Sequence, residues 1–172
     1  MTNKAFFMTG RIYNALTKFC GKSQHTFSER PFVAEDGRIY ATNSYVMVRW
    51  TPTEPIKTDK PFGFEHRGDK PAANQPIYVS EPGCELFFEE DGFLFPSADS
   101  LRSLFTPRDK NGFSEYAYDS KFVEPAVNLA KAIKANKSGM GIMRMNISNM
   151  QLFISIESTI GVFDVVIMPR HD

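Results

Sequence analysis

Apolar residues recur at the helical interval of three or four, over more than two turns, in only two windows of this chain. In the first, Ile12, Leu16 and Phe19 form one stripe, with Thr9 suited to cap the start and Gly21 to stop it. This predicts a helix over residues 10 to 21. In the second, Phe122, Ala126, Leu129 and Ile133 form the stripe, Asp119 or Ser120 can cap it, and Gly139 follows its end. This predicts a helix over residues 121 to 136. Pro125 has no N–H to donate, so either the regular helix begins near Glu124 or its first turn is distorted.

Most of the rest has the pattern of strands punctuated by turn residues. Stretches 32–34 and 38–50 flank Asp36-Gly37, and stretches 86–88 and 93–95 flank Asp91-Gly92, a dipeptide that tolerates the positive φ of a hairpin turn. A third hairpin is expected from 142–147 and 151–156 around Ser148-Asn149, and 162–168 gives a last strand before Pro169. Residues 52 to 76 carry Pro52, Pro55, Pro61, Pro71 and Pro76 with little periodicity, the signature of an irregular stretch.

The order contains a repeat: a strand at 5–8, a helix and strands to Trp50, then a strand at 115–118, a helix and strands to Met168. Neither half can cover both faces of its own sheet. The expectation is therefore an α+β fold with two helices side by side on one face of an antiparallel sheet of about eight strands. At 172 residues the chain fits a single domain over 1–172, with an irregular insertion at about 56–112.

Composition sharpens this picture. Hydrophobic residues make up 42% of the chain, including 16 Phe, enough for a sizeable core and against disorder. Lys plus Arg number 20 and Asp plus Glu also 20, so a purely electrostatic DNA binder is not expected. That balance is unevenly spread. Residues 9–23 carry Arg11, Lys18 and Lys22 with no acid, and 120–138 carry four Lys against Glu124. Residues 81–99 hold six acids and no Lys or Arg. The two basic segments are also the two predicted helices.

Chemistry is sparse. Cys20 and Cys84 form neither a disulfide framework nor a CxxC pair, and no leader-like or membrane-spanning apolar stretch stands out, so a cytoplasmic protein is expected. His25, His66 and His171 lack any nucleophile or metal-ligand spacing, and Glu89, Glu90 and Asp91 suit a solvated hairpin tip better than a cation site. Gly139 and Gly141 lack the Lys-Ser/Thr of a phosphate loop. No catalytic residue, metal or cofactor is expected. Met140, Met143, Met145, Met150 and Met168 cluster in the last third, as core or as the lining of an adaptable peptide groove, with core favoured.

Three segments resemble a known family. RPFVAEDGRIYATNSYVMVRW resembles the bacterial sliding-clamp segment that turns and re-enters through an Ala-Thr-Asp/Asn element. SEYAYDSKFVEPAVNLAKAIK looks like the clamp's F-N-x-x-Y-L-x-x-A-L strand and helix, and FDVVIMPRH is similar to its closing Y-V-L-M-P-x-R strand. Their order also fits the beta subunit of bacterial DNA polymerase III, in particular its C-terminal domain. DGFLFPSADSLRSLFTP resembles a Gly-x-Phe-Pro segment of another clamp domain. The family's chain has three such domains, where this one has the length of one.

The resemblance implies a DNA-clamp (processivity-fold) domain and a non-enzymatic processivity factor. By position, the DNA-facing candidates are Arg11, Lys18, Lys22, Lys131 and Lys134, and the peptide-groove candidates are Met168, Pro169 and Arg170. Expected partners are duplex DNA, bound weakly and without sequence preference, clamp-binding peptides of a polymerase or other replication protein, and further copies of the chain, with no membrane. The competing expectation keeps the fold and drops the DNA: a decoy or inhibitor that binds replication proteins without encircling DNA.

Overall fold

A computed structural model of the chain describes residues 6–106, 118–133, 143–148 and 150–169. Among these, the elements run β1 (Phe6–Thr9), α1 (Gly10–Thr17), β2 (Phe32–Val33), β3 (Ile39–Thr42), β4 (Val46–Pro52), β5 (Phe62–His66), β6 (Pro76–Val79), β7 (Cys84–Phe88), α2 (Ala98–Leu104), α3 (Ser120–Ile133), β8 (Met143–Ser148), β9 (Gln151–Ser158) and β10 (Gly161–Ile167). The fold is α+β with antiparallel pairing. β1 and β6 form a two-stranded ribbon, and the other strands form an eight-stranded sheet in the order β7-β5-β2-β3-β4-β10-β9-β8.

The centre of the large sheet is the β4–β10 seam, which runs from Gly161 opposite Pro52 to Ile167 opposite Val46. Outward from it, β3 and β2 follow on one side and β9 and β8 on the other, so the six central strands are two three-stranded meanders facing one another. Gly161 makes the close approach at the end of the seam possible. Its φ is +130°, and a Cβ there would sit 2.1 Å from the Thr51 carbonyl oxygen.

Strand alternation sends Val46, Val48, Trp50, Phe163, Val165 and Ile167 to one face, in one cluster with Ile12, Leu16 and Phe19 near α1 and with Ala126, Leu129 and Ile133 of α3. Trp50 stacks on Phe163 at 5.0 Å and takes the edge of Phe6 at 5.2 Å. On the opposite face Phe32, Tyr40, Met47 and Val166 bury against Leu101 and Phe105 from α2 and the residue after it. Both predicted helical stripes are thus turned inward, although Phe122 is only half-buried.

Several local expectations are corrected. The first helix ends at Thr17 and not near Gly21, because the chain tightens into short turns (Phe19 N–H to Leu16 O, Cys20 N–H to Thr17 O). The Gly21 N–H then donates to Ser28 O and draws the chain away. Thr9 caps it as expected, its hydroxyl accepting from the Ile12 N–H. The second helix starts at Ser120 with Pro125 inside it, and the Asp119 carboxylate accepts from the Lys121 N–H at 3.0 Å. Its expected last turn, 134–136, and the expected strand at 115–117 lie outside the described residues.

The expected strand 38–50 is two strands. Asn43 Oδ1 accepts from the N–H groups of Tyr45 and Val46, and Ser44 takes φ +79°, which closes a tight turn between β3 and β4. Asp91-Gly92 makes no hairpin: Gly92 ends a short 3-10 turn at Glu89–Asp91, and Phe93 folds back onto Phe87 at 5.0 Å. The proline-rich stretch holds β5, a strand inside the main sheet. The 56–112 segment is accordingly not irregular throughout, since it supplies β5, β6, β7 and α2.

Replacing Phe163 with Ala empties the seam's largest contact and is expected to cost about 3–5 kcal/mol, read as a shifted urea midpoint. Leu94→Ala, at a side chain 75% exposed, should move it by no more than about 0.5 kcal/mol. Equal shifts would mean that the seam is not the centre of stability.

Candidate nucleic-acid interface

α1 and α3 touch one another, so their outer faces form one layer over the sheet. On α1 the exposed cations are Arg11 and, at its C-cap, Lys18; seven residues apart, they share a face to within about 20°. Lys22 is exposed but lies beyond the helix, which corrects its expected place on the same helical face. On α3 the exposed row is Lys121, Glu124, Asn128 and Lys131. Lys134 lies outside the described residues.

Among the described residues, none of Arg11, Lys18, Lys22 and Lys131 joins an ion pair, whereas Lys121 is held by Asp119 at 3.2 Å and lies over the Phe122 ring. The acids of 81–99 are partly neutralised elsewhere. Glu90 pairs with Lys60, Glu81 with Arg67 and Asp99 with Arg102. The layer is thus locally positive on a neutral chain, with Glu124 as its one acid among the exposed residues of the two helices.

Beside Lys18 the structure opens a cleft of about 280 Å³ that the sequence did not disclose. It is lined by Tyr13, Asn14, Thr17 and Lys18 of α1 and its cap, by Glu65 and His66 at the end of β5, and by Gly68, Asp69, Lys70 and Pro71 after it. Gly10 lets α1 start close against that connection, since a Cβ on it would lie 2.0 Å from the Ala72 carbonyl oxygen. Three contacts fix the walls. Asn14 Nδ2 donates to Pro71 O at 3.0 Å, the His66 N–H donates to Tyr13 Oη at 2.9 Å, and His66 Nδ1 lies 3.2 Å from Asp69 O. The cleft brings Lys70 to the same wall system as Lys18. Only a fold that places the β5–β6 connection against α1 creates this neighbourhood, and no periodicity announces it.

The closing segment occupies one end of the sheet. The Met168 N–H donates to Tyr45 O at 3.0 Å, Gln151 Nε2 donates to Met168 Sδ at 3.2 Å, and Tyr45, 60% exposed, stacks on Phe122 at 5.1 Å. Met168 and Pro169 are half-buried beside this aromatic pair, and Arg170 lies outside the described residues. Core was the favoured place for the late methionines. Instead Met145 and Met150 are exposed and Met143 and Met168 half-buried, while Met140 is outside the described residues.

The other candidates are not gathered into a site. His25 stacks on Phe27 at 5.1 Å, and burial pushes the Cys20 thiol up to about 12 and the Cys84 thiol up to about 11, away from reactive thiolate. His171, Gly139 and Gly141 lie outside the described residues. Among the described residues no three His, Cys, Asp or Glu converge in a way that could hold a metal ion, and no helix is long and apolar enough to cross a membrane.

Burial pushes the Tyr13 phenol above its ordinary value of 10.0. The native state therefore favours the neutral phenol, and the stability this gives is full below pH 10 and lost as pH rises above it. Tyr13→Phe should cost about 1 kcal/mol at neutral pH, since the His66 N–H loses its acceptor. It should also flatten the fall in urea midpoint above pH 10, and an unchanged alkaline slope would remove Tyr13 from that titration. Compared with models of known families and with curated proteins, the sequence matches none.

Proposed function

We propose that this chain is a non-enzymatic, clamp-like DNA-associated protein, a processivity or replication accessory factor. In this reading Arg11, Lys18 and Lys131 of the α1–α3 layer, together with Lys22 after α1 and Lys134 next in sequence after the described residues of α3, meet duplex phosphates without reading bases. The end at Met168 and Pro169, beside the Tyr45–Phe122 pair, takes peptides from a polymerase or other replication protein, with Arg170 as the next residue of the same motif. The single observation that carries the reading is the paired arrangement: two meanders face one another across the β4–β10 seam, and two adjacent helices carry Arg11, Lys18 and Lys131 exposed and, among the described residues, outside any ion pair. The resemblance of three segments to the sliding-clamp family supports it independently.

A decoy that binds replication proteins and leaves DNA alone is the second reading. It is favoured by the zero net charge and by the exposed aromatic and methionine side chains beside Met168.

Magnitudes separate the two. Five cations on phosphates would give a slope of about −4 to −5 in log K against log salt, at about −0.9 each on duplex DNA. The expected outcome is barely measurable affinity for short linear duplex at physiological salt, no sequence preference, and loss of binding in the triple variant Lys18→Glu, Lys22→Glu, Lys131→Glu. Fluorescence anisotropy over a salt series reads all three. Salt-resistant or sequence-specific binding would overturn the clamp-like reading, and an unchanged isotherm in the triple variant would favour the decoy.

A further inference from the structure

The connection between β5 and β6 runs back along α1, its numbers falling as those of the helix rise. The Gly10 N–H donates to Gln75 O at 2.7 Å and the Arg11 N–H to Ala73 O at 2.9 Å. Farther along, Asn14 Nδ2 donates to Pro71 O at 3.0 Å, and Gly68, Asp69 and Lys70 line one cleft with Thr17 and Lys18. The first N–H groups of a helix have no acceptor within it, and here the connection supplies two of them. Gln75 also closes the connection on itself, its N–H donating to Ala72 O at 3.1 Å and its Oε1 accepting from the Ala72 N–H at 3.2 Å. Main-chain bonds thus fix what the connection carries in place beside α1.

It carries Lys70. This residue is exposed and lines the same cleft as Lys18, and among the described residues neither lysine joins an ion pair. The neutral donors on the helix wall are already spent, Asn14 Nδ2 on Pro71 O and the Thr17 hydroxyl on Asn14 O at 2.8 Å. An anion entering the cleft would therefore be met by the two ammonium groups. Two acids also line the cleft. Glu65 lies 3.6 Å from Arg30, whereas Asp69 joins no ion pair among the described residues, so two cations stand against one carboxylate without a counter-charge.

We propose that the nucleic-acid face extends past α1 onto this connection, with Lys70 meeting a backbone phosphate of duplex DNA alongside Lys18. The inference rests on the DNA reading above and adds a contact from outside both helices. Phosphate is the group the chemistry selects. A lysine ammonium is a compact point charge on a flexible stem, suited to a phosphate oxygen and to no particular base. The groups that could read a base edge are turned to the protein, the Asn14 amide to Pro71 O and Tyr13 Oη to the His66 N–H. Helical spacing could not include Lys70, because it lies on no helix. A free phosphate offers the same chemistry as the DNA backbone, so the two sources must be separated by experiment.

The test is fluorescence anisotropy of a short duplex over a salt series that starts low, with single substitutions in the full chain. Lys70→Gln is expected to weaken binding and to make the slope of log K against log salt shallower by about 0.9, the share of one phosphate contact. Asp69→Asn, which removes the opposing carboxylate, is expected to tighten binding. Lys60→Gln, at a cation already paired with Glu90, is expected to change neither. In amide NMR spectra of the wild type, the Gly68 and Lys70 signals are expected to shift with duplex and to stay with inorganic phosphate at equal ionic strength. The spectra need no variant, so they decide the matter even if a substitution disturbs the fold. An unchanged slope in Lys70→Gln, with wild type binding, overturns this contact alone, and an equal loss in Lys60→Gln overturns it as an effect of bulk charge. Shifts with inorganic phosphate but not with duplex would make the cleft a free-anion site and overturn the assignment to DNA. A wild type that binds no duplex at all would overturn the DNA reading and this contact together.

Discussion

Everything else in this fold hangs on the β4–β10 seam. It joins residues 46–52 to residues 161–167, so each half of the chain must find the other before either has a closed core. On the helix side the seam is apolar, with Trp50 against Phe163 and Val48 against Val165. On the other side it is held by Arg49 and Asp164 at 3.0 Å, with Phe105 of the α2 side capping the guanidinium at 4.5 Å. A half-buried pair of this sort adds less than the stacked rings do, but it fixes register, because a slip of one residue would turn Arg49 into the core. With register fixed, the two meanders fall on either side, and the helix that precedes each has only the shared apolar face on which to bury its stripe. Adjacent helices are the consequence of one correctly registered strand pair.

What could be read in the sequence was what depends on local pattern. Ile12, Leu16 and Phe19 announced a buried stripe, Thr9 announced its cap, and the alternation at 151–156 and 162–168 announced β9 and β10. What could not be read depends on partners distant in the chain. FGFEH becomes β5 although Pro61 precedes it, because β2 and β7 flank it and proline is tolerated just ahead of a strand. Asp91-Gly92 satisfies a hairpin rule, yet the same positive φ ends a 3-10 turn equally well, and the attraction of Phe93 to Phe87 and Arg30 decides between them. The 38–50 run carried a turn signal in Asn43-Ser44 that the apolar residues on both sides outweighed, and the Asn43 side chain, accepting from two backbone N–H groups, makes the turn.

Of the candidate site, the cations were legible and their setting was not. Helical spacing put Arg11 and Lys18 on one face, but Lys22 was placed one turn too far along a helix that stops at Thr17. The cleft beside Lys18 is assembled from α1 and the β5–β6 connection, more than 45 residues away, so no window of sequence contains it. The unpaired state of these cations is also a tertiary property. Arg30, Arg38, Arg49, Lys60, Arg67 and Arg102 each find a carboxylate within 4.0 Å, whereas among the described residues Arg11, Lys18, Lys22 and Lys131 join no ion pair. Exposed pairs contribute little stability. Their larger effect is on the field, because each pair quenches an acid and a base together.

The same division of labour explains the unequal edges of the sheet. The 56–106 segment adds β5 and β7 outside the first meander, so that side carries five strands against three on the other. The added strands bring covering material with them. Phe62 meets Phe88 on the helix face, Arg30 is stacked on Phe87 on the other, and β6 pairs with β1 to roof the core near Trp50. On the short side nothing comparable is added among the described residues, and the apolar alternation of β9 simply runs on into β8. Two nearly equivalent meanders would have equivalent edges. An insertion confined to one half breaks that equivalence and finishes one edge with acids.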